Sequence, residues 1–239
     1  KEHCMRKRNR RSRPAATRAL LALVILSLGI GACGGESAEG GAQTDAVSPL
    51  FFPRRLTETA PATFWARFET TAGTFVVEVH RAWSPNGADR FWNLVKNGYY
   101  DDTRVYRVVE GFMAQFGVHG DPTLGYQWRN SVIPDDPVTQ SNTRGRVSFA
   151  KSGPNSRINE VFINLRDNPS LDEEGFSPIG EVVEGMEVVE AFHDGYGDGP
   201  PRGDGPYQAR ARAQGNAYLD ADFPQLTRIL RATVEEREG

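Results

Sequence analysis

Alternation of apolar and polar residues first becomes regular near Phe64. Ala66-Arg67-Phe68-Glu69-Thr70 and Thr74-Phe75-Val76-Val77-Glu78-Val79-His80 read as two strands around a Thr71-Ala72-Gly73 turn. Ser84-Pro85 marks a helix start, with Ser as the N-cap and Pro at the first position. Ala88, Phe91, Trp92 and Val95 then recur at helical spacing on one face, and Asn97-Gly98 stops the helix. Short strands follow at residues 104–109, 112–116, 145–150, 161–164 and 179–183. A second helix covers Met186–Phe192, with Val188, Val189 and Phe192 as its inner face, and Leu226–Val234 reads as a closing strand. Many short strands with two helices predict a closed antiparallel barrel whose open ends the helices plug. Residues 121–142 and 195–222 read as long loops.

Upstream the pattern is different. A basic run ends at Arg18, and the twelve residues Ala19 to Ile30 carry no charge. A membrane-spanning helix needs about 20 apolar residues, so this stretch fits the apolar segment of a signal peptide instead. Ile30-Gly31-Ala32-Cys33 resembles a bacterial lipobox, in which small residues admit the backbone to the peptidase cleft and the Cys receives the lipid. A conventional secretory signal with an incidental Cys is the plainer alternative. The expected organisation is an export signal over 1–32, lipid attachment at Cys33, a flexible tether over 33–62 and one domain over 63–239. The tether is expected from its Gly, Ala, Glu, Ser, Thr and Pro content, with Phe51-Phe52 as a local exception that docks on the domain. The domain's core covers about 64–192, followed by a C-terminal loop and the closing strand over 193–239.

Charge sharpens this division. Eight of the chain's 28 basic residues and one of its 31 acidic residues lie in residues 1–32, so the rest carries a formal net charge of −10. A body that acidic repels phosphate backbones, which argues against nucleic acid as a partner. The four histidines show no ligand spacing, so no metal is expected. Asp194-Gly195-Tyr196-Gly197-Asp198-Gly199 is faintly like a calcium loop, but Gly205 stands where the closing Glu belongs. Arg202-Gly203-Asp204 is a bare tripeptide with little weight for adhesion.

The chemistry lies in three stretches: Arg104 to Gly117 (RVYRVVEGFMAQFG), Gly145 to Leu165 (GRVSFAKSGPNSRINEVFINL) and Leu171 to Val189 (LDEEGFSPIGEVVEGMEVV). In order and spacing they resemble the cyclophilin family of peptidyl-prolyl cis-trans isomerases, from about Phe64 to Phe192. The resemblance implies a mainly β fold: a closed eight-stranded antiparallel barrel capped by two helices, with a substrate groove on its outer face. It implies catalysis by Arg107, Gln115 and Phe112. Met113, Phe162 and Leu171 would join Phe112 in forming the proline pocket, Ala150 and Lys151 would offer backbone groups to the substrate, and Phe176 would stand at the rim. No cofactor is implied, and the partners are proline-containing polypeptides together with a membrane reached through the lipid.

Taken singly, each apolar candidate is more naturally a core residue, and Arg107 and Gln115 more naturally lie on a solvated surface. Only the joint spacing favours a site. Departures from the family fall at the rim: Ser170 stands where many members carry Trp, and Phe176 stands near a position often held by His. Lys151 replaces a common Asn, Asn159-Glu160 a frequent Ser-Gln, and Phe116 a Gly. These changes leave open a second function, a proline-peptide-binding module or holdase with little turnover.

Overall fold

The structure, a computed structural model, describes residues 47–235 and Arg237. The expected export signal, Cys33 and the first part of the expected tether lie outside the described residues. Eight strands close into one antiparallel barrel in the order β1-β2-β7-β5-β6-β4-β3-β8. They are β1 (Thr63–Thr70), β2 (Gly73–His80), β3 (Thr103–Val109), β4 (Met113–Phe116), β5 (Arg146–Phe149), β6 (Val161–Asn164), β7 (Pro178–Glu184) and β8 (Arg228–Glu235).

The interior is packed with side chains. Inward-pointing residues of successive strands meet in one cluster that includes Phe68, Phe75, Val105, Phe116, Val147, Phe149, Val161, Ile163 and Ile229. Phe68 and Phe75 face each other across the β1–β2 ladder and stack with ring centroids 4.8 Å apart. Phe116 meets Phe68 edge-on at 5.6 Å, an arrangement that suits the aromatic quadrupole.

Helices cover the core. The two expected from periodicity are present as α1 (Pro85–Lys96) and α4 (Met186–Glu190). Beside these two the structure adds α2 (Pro122–Trp128), α3 (Ser170–Glu173), α5 (Gln208–Gln214) and α6 (Asn216–Asp222), of which α5 and α6 pack against Tyr106 outside the barrel core. Most of the additional helices lie within the stretches read as long loops. They bury too few side chains to print a period: Leu124 and Trp128 in α2, and Ala211 alone in α5.

Two further expectations need correction. The composition places residues 47–62 in a flexible tether with only Phe51-Phe52 docked, yet the contacts of this part with the domain go beyond that exception. Leu50 and Ala60 are buried in the core cluster, Phe51 packs beside them, and Trp128 Nε1 donates to the Leu50 carbonyl at 2.9 Å. Asn93 Nδ2 also donates to the Glu58 carbonyl at 2.7 Å. The segment's composition concealed a few anchoring contacts. Ser84, expected to cap α1, makes no capping bond with its side chain. Its hydroxyl donates to Asp136 at 2.6 Å instead, and Asp136 accepts from the backbone N–H groups of Asn86 (3.1 Å) and Gly87 (3.0 Å). The helix is therefore capped by a carboxylate from a distant loop, which suits the positive end of the helix dipole.

Asp136 also binds Arg157, whose side chain is 2% exposed, at 2.8 Å. Burial pushes the Asp136 carboxyl up, but its bonds from Ser84, Arg157, Asn86 and Gly87 outweigh burial and hold it below the usual carboxylate range. Its folded value is thus depressed, so its stabilisation is present above the unfolded pKa and is lost as pH falls through the folded one. Asp136→Ala is expected to cost about 3–5 kcal/mol, because Arg157 is left buried without this partner. Urea melts read the loss at neutral pH, and the wild-type advantage should shrink as the pH approaches the lowered carboxyl value.

Candidate functional site

Strand alternation places the site on the outside of the barrel. In β4, Ala114 and Phe116 point into the core, so Met113 and Gln115 point out. In β6, Val161 and Ile163 point in, so Phe162 points out. β4 and β6 are paired with Gln115 opposite Phe162, so the outward residues of both strands share one surface. There Met113, Phe162 and Leu171 form a separate buried apolar cluster, flanked by Val109, Phe112, Ala150 and Phe176.

Arg107 reaches this surface through a break in alternation. Val105 pairs with Phe116, but Arg107 pairs with Gln115, so two residues of β3 oppose one of β4. This β-bulge at Tyr106 lets Val105 and Val108 both join the core while Tyr106 and Arg107 both face outward. Bulges beside functional sites commonly re-aim a side chain in this way. Regular alternation would have turned Arg107 inward with Val105.

The result is a groove of about 720 Å³ lined by all nine domain residues expected at the site: Arg107, Phe112, Met113, Gln115, Ala150, Lys151, Phe162, Leu171 and Phe176. Arg107 Nη1 donates to Gln115 Oε1 at 3.0 Å. Phe162 meets Phe176 edge-on at 5.6 Å. Lys151 Nζ donates to the Gly175 carbonyl at 2.8 Å and lies 5.2 Å from the Phe176 ring, so this side chain closes the rim beside its backbone. Ala150 gives its N–H to the Glu160 carbonyl at 2.9 Å. Ser170, at the start of α3, is exposed and does not line the groove.

Sequence reasoning missed a polar layer behind Gln115. Glu160, only 7% exposed, accepts from Gln115 Nε2 at 3.0 Å and from the Tyr106 hydroxyl at 2.5 Å. Gln208 Nε2 donates to it at 2.7 Å, and Arg212 pairs with it at 2.7 Å; both come from α5. A buried carboxylate with this many donors fixes the orientation of the amide that binds it. Burial and the adjacent carboxylate raise the Tyr106 hydroxyl well above its ordinary value, so it remains a donor. The replacement of a frequent Gln by Glu160 was visible in the sequence. Its compensating cation, Arg212, stands 52 residues away and had no local signal.

The groove continues past Gly117, whose φ of +110° suits glycine and where a Cβ would lie 2.5 Å from the Asn159 carbonyl. Tyr126, Arg129 and His119 line the far part, together with Gln208 and Arg212. Burial holds the His119 imidazole below its usual value and favours the neutral ring. Another missed contact is Asp198, whose carboxylate meets Arg107 at 2.8 Å and 3.0 Å. The Arg107 hydrogen bond is the main cause that holds this carboxyl below its usual range.

A set consisting of a guanidinium, an amide and an apolar pocket can hold a peptide and donate hydrogen bonds. Among the described residues no cluster of three His, Cys, Asp or Glu side chains has the arrangement to hold a metal.

Comparison with known proteins agrees with this chemistry. The sequence model of the family described as cyclophilin type peptidyl-prolyl cis-trans isomerase/CLD matches residues 65–209. The chain is 32% identical over 127 residues to peptidyl-prolyl cis-trans isomerase-like 1 of Gibberella zeae, covering 51% of this chain and 76% of the relative. It is 34% identical over 127 residues to the Arabidopsis thaliana peptidyl-prolyl cis-trans isomerase CYP18-2, covering 51% and 75%. Among solved structures, a cyclophilin-type peptidyl-prolyl cis-trans isomerase of Cryptosporidium parvum superposes with a TM-score of 0.53 at 20% identity, over 74% of this chain and 99% of that one. The crystal structure of that protein in the presence of the dipeptide Ala-Pro gives 0.51 at 20% identity, over 72% and 99%. The outward-facing groove, the barrel that carries it and the family match over residues 65–209 together establish that this chain belongs to the cyclophilin-type peptidyl-prolyl cis-trans isomerases.

Proposed function

We propose that the chain is an exported, lipid-anchored isomerase that turns X-Pro bonds without covalent chemistry, using Arg107 as donor and the Met113–Phe162–Leu171 cluster as the proline pocket. Resonance keeps the peptide bond planar behind a barrier of about 18–20 kcal/mol. For X-Pro both isomers are accessible but exchange over roughly tens to hundreds of seconds. Twisting the bond removes resonance, returns a lone pair to the nitrogen and makes the carbonyl less dipolar. A site that holds the twisted state better than the planar one needs a donor for that lone pair and an apolar wall.

One observation carries this reading. The Arg107 guanidinium, bonded to Gln115 at 3.0 Å, lies on the same groove as the buried Met113, Phe162 and Leu171. Gln115, held in turn by Glu160, would orient Arg107 and bond the substrate chain. Phe112 would flank the ring, and Phe176 would meet it at the rim. The Ala150 carbonyl and the Lys151 N–H make no hydrogen bond among the described residues and would pair with the substrate backbone. Export and anchoring rest on the Ile30-Gly31-Ala32-Cys33 string and the uncharged stretch before it. An anchored isomerase suits newly translocated chains, whose folding waits on slow prolyl exchange.

Four expected outcomes test the proposal. Arg107→Ala should lower kcat/KM for a proline peptide by about 100-fold, as loss of one preorganised donor does. Arg107→Lys should not restore it, because an ammonium lacks the planar fork. Full turnover by the folded Ala variant would refute the donor role, and a wild type that binds proline peptides without turnover would favour a holdase. Cyclosporin-like macrocycles should bind weakly, since Ser170 replaces the family's frequent rim Trp; nanomolar inhibition would contradict this. Intact mass of the membrane-extracted protein should show a diacylglyceryl group that Cys33→Ala abolishes. An unmodified Cys33 in the natural host would remove the anchor from the proposal.

A further inference from the structure

Residues 195–222 read from sequence as a long loop, which opens with the Gly-rich stretch that holds Asp198. The structure brings it to the reverse side of Arg107. Asp198 Oδ1 accepts from Arg107 Nε at 2.8 Å and Oδ2 accepts from Nη2 at 3.0 Å, a paired contact along one side of the guanidinium. Both side chains are about one-fifth exposed, at 22% and 21%, so the pair is neither free in solvent nor sealed in the core. Arg107 lines the groove but Asp198 does not. The carboxylate therefore sits behind the cation rather than in the path of a ligand.

The donor inventory shows what this contact leaves. A guanidinium has five N–H groups in a rigid plane. Nε–H and one Nη2–H go to Asp198, and one Nη1–H goes to Gln115. One N–H on each terminal nitrogen remains. Nη1 also approaches Met113 Sδ at 3.9 Å, and a thioether is a weak acceptor. Asp198 and Gln115 thus hold the fork from two sides and leave its outer end for a ligand.

Asp198 is itself held in place. Its Oδ1 accepts from the Gly199 N–H at 2.9 Å, and its carbonyl accepts from the Gly205 N–H at 2.9 Å. A Cβ on Gly203 would lie 2.4 Å from the same carbonyl, so the loop folds tightly around this residue.

We infer that Asp198 is a positioning residue of the isomerase: it fixes the plane of Arg107 so that the two remaining N–H groups point into the groove. This rests on the donor role proposed for Arg107 and adds the group that orients it. Long arginine side chains have many rotamers, and a donor that must be ordered at each turnover contributes less than one ordered in advance. The cost of losing Asp198 should therefore fall on turnover rather than on substrate affinity.

The test uses the full chain as wild type, Asp198→Ala, Asp198→Asn and, as a carboxylate control in the same loop, Asp204→Ala. Proline-peptide isomerisation gives kcat and KM, thermal melts confirm folding, and ¹⁵N-arginine spectra follow the Arg107 Nε–H, assigned by its absence in Arg107→Lys. Asp198→Ala is expected to lower kcat by about 10- to 100-fold with KM within about twofold, as a misplaced group does. Asp198→Asn, with one oxygen acceptor instead of two, should fall between Ala and wild type, and Asp204→Ala should match wild type. The Arg107 Nε–H should exchange slowly in wild type and rapidly in Asp198→Ala. An unchanged or raised kcat in folded Asp198→Ala would overturn the inference, and so would an Nε–H signal indifferent to the substitution. A wild type that fails to turn over would instead defeat the donor mechanism, while the spectra would still decide whether Asp198 holds the side chain.

Discussion

The site depends on one extra residue in β3. A closed barrel assigns alternate side chains to its interior and exterior, and the inward-facing residues of these strands build a continuous core rich in aromatic rings. At Tyr106 the rule is broken: two residues of β3 face one of β4. That bulge lets Val105 and Val108 both serve the core while Arg107 stays outside, opposite Gln115. It also turns Tyr106 outward, where Ala211, Tyr218 and Leu219 from α5 and α6 cover it. One irregularity thus presents the cation and recruits the helices that support its neighbours.

Those supports have a common origin. Glu160 holds Gln115 and is balanced by Arg212 from α5, while Asp198 holds Arg107 from the preceding loop. Both come from the segment between α4 and β8, which packs on the outer face of β3. Arg104, whose side chain is 2% exposed, fastens that segment by pairing with Asp220 of α6 at 2.7 Å. A buried guanidinium needs such partners to offset its lost hydration, so the anchor is specific to this register of α6 on β3.

Much of this could be read in the chain beforehand, for stated reasons. The eight strands appear as short apolar runs because each has one face in the core, and β6 was expected at its observed bounds, Val161–Asn164. α1 declared itself through Ala88, Phe91 and Val95, all buried. The nine groove residues were legible through the three stretches that resemble the cyclophilin family, carried by β3 and β4, by β5 and β6, and by α3 and β7. What escaped depends on long-range pairing. Asp136 caps α1 from about 50 residues away, and Asp198 reaches Arg107 across 91. Neither contact leaves a period or a motif. α5 was hidden because Ala211 is its one buried residue. Residues 47–62 were misread for a related reason: a polar segment can be fastened by Leu50, Ala60 and a few hydrogen bonds without any apolar pattern.

The closure of the sheet has a consequence for a peptidyl-prolyl isomerase. An open sheet offers a row of unpaired backbone groups to any unfolded strand that comes near, and such contact invites co-aggregation. In this barrel β1 pairs with both β2 and β8, and every other strand likewise has two neighbours. A client therefore finds no ladder to join. The groove beside Arg107 is the surface that the proposed function would have a proline segment use.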